Sequence, residues 1–155
     1  MKESKLRSLD MVKITKIILD FMFISGIVVL VTLPYSLKLA GEYYSEAFVE
    51  HYISMVAVFG LSALLGLFII RELRCMMKTV MEKACFVYRN VQSLERMGMV
   101  SICISILFFI KMFLVPTPAT FIIILVFFVA ALFCGVLAQV FAEAVRYKEE
   151  NDLTI

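Results

Sequence analysis

The sequence predicts an all-α integral membrane protein: a four-helix bundle of two transmembrane hairpins, with helical extensions on the cytoplasmic side. Three observations predict it. The 155 residues are 63% hydrophobic and 18% charged, with a mean hydropathy of +0.98, a balance that excludes an ordinary water-soluble domain. The run Phe121 to Phe141 carries no charge, and about 20 apolar residues is the length a helix needs to cross the hydrocarbon core, where lipid offers no partner to an open backbone group. Lys and Arg, finally, collect in alternate segments between such runs, which is the pattern of a chain threaded back and forth through a membrane.

The first element follows a basic head in which Lys2, Lys5, Arg7, Lys13 and Lys16 outweigh Glu3 and Asp10. The apolar run behind it, Ile17 to Leu33, is longer than the hydrophobic region of a signal peptide. Lys38 also lies where cleavage after a small residue such as Ala40 would need a small side chain. A retained first span over residues 14–34 is expected, ending at Pro34. Tyr35 to His51 reads as an acidic, aromatic outer loop carrying Glu42, Glu46 and Glu50 beside Tyr43 and Tyr44. The second span, 52–70, stops at Arg71, and the third occupies 97–115. Pro116-Thr117-Pro118 leaves room only for a tight turn into the fourth, 119–141. Residues 71–96 form a charged middle segment and 142–155 a charged tail, all within a single membrane domain.

Orientation follows from counting cations near the span ends. Five lie in the N-terminal tail, six in the middle segment (Arg71, Arg74, Lys78, Lys83, Arg89, Arg96) and two in the C-terminal tail, against only Lys38 and Lys111 on the opposite side. Both termini and the middle segment are therefore expected in the cytoplasm.

Small residues mark where helices can approach: Ser25-Gly26, then Gly60, Ser62 and Gly66, then Ala131, Gly135 and Ala138. Ser62/Gly66 and Ala131/Gly135 have the small-xxx-small spacing that permits close backbone contact. Packing inside one bundle and a homodimer seam both remain open. Leu6-Arg7-Ser8-Leu9-Asp10 resembles Val91-Gln92-Ser93-Leu94-Glu95, and each Ser is placed where it could cap an entering helix.

Two ionisable residues fall within the spans, Asp20 and Lys111. A charge at mid-membrane costs roughly 2.5 to 3.5 kcal/mol on insertion scales, so each needs a partner or a function. Lys111, about one turn from the outer face, is expected to snorkel toward Glu46 or Glu50. Asp20 has two readings: pairing with Arg71 or a polar neighbour such as Gln139, or a proton or ligand site. No catalytic, cofactor or metal residues are predicted. Cys75, Cys85, Cys103 and Cys134 lack metal-ligand spacing, His51 is the sole histidine, and there is no glycine-rich phosphate loop.

In the middle segment Leu73, Met77, Val80, Ala84, Val87, Val91 and Leu94 recur at alternating spacings of four and three. That is a helical apolar stripe, suited either to folding beside the bundle or to docking a partner helix. The pattern Phe86-x-x-x-Asn90-Val91-x-x-Leu94-x-x-Met97-Gly98 and the terminal Glu149-Glu150-Asn151-Asp152-Leu153-Thr154-Ile155 resemble the DUF2975 family of small bacterial membrane proteins, over essentially the whole length. Members of that family often carry a Gly-x-Pro-Phe turn where this chain has Lys83-Ala84-Cys85-Phe86. Whether the middle segment breaks there is therefore open. The resemblance implies a four-span protein of the bacterial inner membrane, with no established activity, often encoded beside a small helix-turn-helix regulator.

The expected function is regulatory: holding or modulating such a cytoplasmic regulator through Leu73, Met77 and Val80 and the tail residues Glu149 to Ile155, without direct nucleic-acid binding. Three acids gathered at a helix C-terminus, where the dipole disfavours anions, would be relieved by a basic neighbour. That neighbour is either the chain's own Arg71, Arg74 or Arg89 or the DNA-binding face of the regulator. The alternative is a small transporter or channel component using Asp20. The lipid bilayer is the one partner composition requires.

Overall fold

The computed structural model describes residues 2–44, 51–82 and 85–152, with side chains for 11–39, 51–82 and 85–151. Among these residues there are four helices and no strand: α1 Lys2–Tyr44, α2 Tyr52–Met81, α3 Tyr88–Leu114 and α4 Pro118–Asp152. Each holds a stretch long and apolar enough to cross a membrane.

α1 does not stop at Pro34 but runs through it to Tyr44. Proline removes a backbone donor and crowds the carbonyl one turn earlier, yet in a membrane helix hydroxyls and a neighbouring helix can engage the local carbonyls. Here Thr32 Oγ1 donates to the Val28 carbonyl at 2.9 Å and Ser36 Oγ to the Thr32 carbonyl at 3.0 Å. The Tyr52 hydroxyl, at the start of α2, donates to the Pro34 carbonyl at 2.9 Å. The residues expected to form an outer loop are thus helical as far as Tyr44.

α2 continues the second apolar run eleven residues past Ile70, to Met81. The chain then leaves helical geometry, and α3 starts after Val87, whose backbone is extended at φ −134° and ψ 145°. The stripe from Leu73 to Leu94 is therefore not one helix. It is divided between two, α2 ending at Met81 and α3 beginning at Tyr88. Ser8 and Ser93 lie inside α1 and α3 rather than at their starts, so neither caps an entering helix.

The helices pack in chain order: α1 on α2, α2 on α3, and α3 on α4 most extensively. Among the described residues α1 touches neither α3 nor α4, so the bundle is open on that side. The core lies at the end shared by the α2–α3 turn and the end of α4, where Val91, Leu94, Ala138 and Val145 cluster with Met76 and Phe141 against them. Gly98 lets the α4 backbone come close to α3: a Cβ placed there would sit 3.4 Å from the Ala131 carbonyl oxygen and 3.5 Å from Cys134 Cβ. Ala131 and Ala138 are buried in this seam, as packing within one bundle requires. Gly60, Gly66 and Gly135 face open space. Long apolar side chains cover the outside of α1, with Phe21 71% and Val31 74% exposed, as lipid-facing residues would be.

Candidate functional site

The charged residues converge at one end of the bundle, because α2 presents three faces there. At about 100° per residue, Arg71, Arg74, Cys75, Lys78 and Glu82 share one face, Glu72, Met76 and Thr79 a second, and Leu73, Met77 and Val80 a third. The first turns to α1, forming a recess with Lys16 and Asp20. The second turns to α3. The third, expected to carry the docking stripe, is half-buried.

On the α1 face, Arg74 Nε lies 2.6 Å from Asp20 Oδ1. The partner of Asp20 is therefore Arg74, one turn beyond Arg71, and not Arg71 or Gln139. The contact is a close ion pair without hydrogen-bond alignment, since that oxygen accepts no directed N–H. The Arg74 guanidinium also lies 4.7 Å from the centroid of the Phe23 ring, three residues after Asp20 on α1, so it is held by charge and by the aromatic face together.

The α3 face holds the most deeply buried acid, Glu72, which is 5% exposed. Ser93 Oγ donates to Glu72 Oε2 at 2.7 Å, and Arg96 Nη1 approaches Glu72 Oε1 at 3.8 Å. One turn along, Asn90 Nδ2 donates to Thr79 Oγ1 at 2.8 Å and to the Cys85 carbonyl at 2.7 Å, while Thr79 Oγ1 lies 2.7 Å from the Met76 carbonyl. Asn90, 1% exposed, thereby ties the end of α2, the turn and the start of α3 into one unit. Of the motif that begins at Phe86, the residues Asn90, Val91, Leu94, Met97 and Gly98 form a buried packing edge, while Phe86 is exposed and its ring centroid lies 5.7 Å from that of Phe141. Sequence reading missed Glu72 and the Asn90 clasp. The available signal was the spacing of Glu72, Met76 and Thr79, a polar stripe offset by one residue from the apolar one.

Lys111 lies at the opposite end, in the seam of α3 and α4. It is 2% exposed, and Nζ donates to Thr120 Oγ1 at 2.7 Å and to Thr117 Oγ1 at 3.3 Å, with the Phe59 ring centroid 5.9 Å away. Glu46 and Glu50, its expected destinations, fall outside the described residues. A buried ammonium needs donors matched to acceptors, and the turn that reads as a mere connector supplies them through Thr117 and Thr120. Among the described residues no hydrogen bond or ion pair joins Asp20, Glu72 and Lys111 to one another.

Past its last core residue, Val145, α4 stays helical to Asp152. Arg146 to Asn151 are exposed, and Arg146 Nε lies 3.7 Å from Glu150 Oε1, one turn apart on the same helix. Glu150 thus has a cation within the tail itself, and among the described residues no ion pair joins it to Arg71, Arg74 or Arg89. The side chains of Asp152, Leu153, Thr154 and Ile155 lie outside the described residues.

No curated protein and no solved structure matches the chain. The family model described as "Protein of unknown function (DUF2975)" matches residues 33–155. The likeness therefore covers the end of α1 and all of α2, α3 and α4, but not residues 1–32 and the first apolar run. With the match spanning most of its length, including the Asn90 motif and the acidic tail, this multi-pass membrane protein belongs to the DUF2975 family.

Proposed function

We propose that the protein is a non-catalytic regulatory membrane protein, lying in a bacterial inner membrane with both termini in the cytoplasm, that holds a small basic helix-turn-helix regulator at its charged end. The observation that carries this reading is the projection of α4 beyond the core. Its last two turns are exposed and acidic, with Glu149 and Glu150 placed where the helix dipole disfavours anions by about 0.3 to 1 kcal/mol each. The exposed pair with Arg146 offsets little of this, since such pairs contribute about 0.3 to 0.5 kcal/mol. A protein that binds DNA presents a basic face, which is complementary in charge to this exposed acidic helix end. Val145 packs with Val91, Leu94 and Met76, so the tail emerges beside the end of α2 that carries Leu73, Met77 and Val80.

The test is capture of the regulator encoded beside the gene, by wild-type protein and by a variant with Glu149→Lys, Glu150→Lys and Asp152→Lys, across a salt series. Reversal should reduce capture at least tenfold and leave the thermal stability of the membrane protein unchanged. Capture by the wild type should fall as salt rises, because exposed charges are screened over about 8 Å at physiological ionic strength. Equal capture by the reversed tail refutes the reading.

A further inference from the structure

A recess of about 570 Å³ opens between α1 and α2 at the charged end, and its charged lining is Lys16, Asp20, Arg71, Arg74, Lys78 and Glu82. Four cations face two carboxylates. Asp20 and Arg74 form an ion pair across the recess, and the Phe23 ring lies against the guanidinium. Lys16, Arg71 and Lys78 form no ion pair among the described residues, and all three are exposed. Three unmatched ammonium and guanidinium groups around one hollow, with a single further carboxylate at Glu82, are the donors that a phosphate group takes.

The level of the recess selects the source of that phosphate. Lys16 immediately precedes the apolar run that begins at Ile17, and Arg71 immediately follows the one that ends at Ile70. The recess therefore sits where both helices pass from hydrocarbon-compatible to charged sequence, which is the depth of lipid headgroups. One step around α1 from Lys16 and Asp20, Ile17 and Phe21 are 67% and 71% exposed, an apolar flank for acyl chains. α1 packs only on α2 among the described residues, so this side of the bundle is open to lipid. We infer that the recess is a binding site for the phosphate of an anionic phospholipid, which bridges α1 and α2.

The test uses the full chain in a neutral detergent, titrated with phosphatidylglycerol, phosphatidylcholine or inorganic phosphate, with bound lipid counted by native mass spectrometry. Phosphatidylglycerol should bind at least ten times more tightly than phosphatidylcholine. Arg71→Gln with Lys78→Gln should weaken it about thirtyfold, two basic contacts each contributing about a factor of five. Arg89→Gln, outside the recess, should leave it unchanged. Should the double variant fail to fold, Lys78→Gln alone, in the exposed last turn of α2, should cost about fivefold, and Lys78→Arg should restore binding. Equal affinity for the two lipids, an equal loss in Arg89→Gln, or unchanged affinity in Lys78→Gln overturns the inference. Displacement of phosphatidylglycerol by an equal concentration of inorganic phosphate overturns it too, and assigns the recess to a soluble phosphate.

Discussion

The two hairpins are both built from helices apolar enough to cross a membrane and are held together in different ways. In the most apolar window of α3, 39% of residues are buried inside the protein, against 6% in α1 and 6% in α2. The C-terminal hairpin uses a polar and close-packed seam. Ser105 Oγ donates to the Ile124 carbonyl at 3.2 Å, Lys111 reaches Thr117 and Thr120, and Gly98 brings the α4 backbone near. The N-terminal hairpin is fastened at its ends, by Asp20 with Arg74 at one and by Tyr52 with the Pro34 carbonyl at the other, with Gly26 against Leu67 between them. Hydrophobicity does not separate the two, because lipid tails are as apolar as leucine and provide no drive for helices to associate. What separates them is backbone approach and the number of polar groups that would be unsatisfied apart.

Breaking the tight hairpin should have the largest effect. Gly98→Leu drives a branched side chain into the Ala131 carbonyl and Cys134, and thermal unfolding in detergent should report a loss of about 3 kcal/mol. Gly98→Ala, whose Cβ would meet only ordinary van der Waals contact, should stay folded, and Gly60→Leu, with nothing within 4 Å, should be close to neutral. Equal effects at Gly98 and Gly60 would erase the distinction between the seams.

The joint between the hairpins comes next. Asn90→Leu removes the donor to the Cys85 carbonyl and to Thr79, in a site where Asn90 is 1% exposed. Leaving those groups unpaired should cost about 1 to 3 kcal/mol, read by the same unfolding measurement.

The smallest effect belongs to the loose hairpin. The side chains of Asp20 and Arg74 are 37% and 38% exposed, so their attraction is screened, and Asp20→Asn should change stability by less than about 1 kcal/mol. A loss as large as that of Asn90→Leu would show that the N-terminal hairpin depends on its ion pair more than its open packing indicates.

Much of this molecule is determined locally, and so was legible in the sequence. Four apolar runs, the short turn at Pro116 and Thr117, and the alternation of basic segments follow from lengths and compositions that any membrane imposes on a single helix. Pairings are not local. Arg71 and Arg74 are equivalent as sequence, but only Arg74 meets Asp20, because α1 packs on α2 at one height and one rotation. Lys111, whose expected partners Glu46 and Glu50 lie outside the described residues, meets two threonine hydroxyls that its sequence position did not announce. The face of α2 that meets α3 is likewise not the apolar stripe of Leu73, Met77 and Val80, but the stripe one residue earlier, carrying Glu72 and Thr79. The physical reason is that a polar group buried between helices needs a partner: Ser93 for Glu72 and Asn90 for Thr79 are hydrogen bonds that only a neighbouring helix can complete.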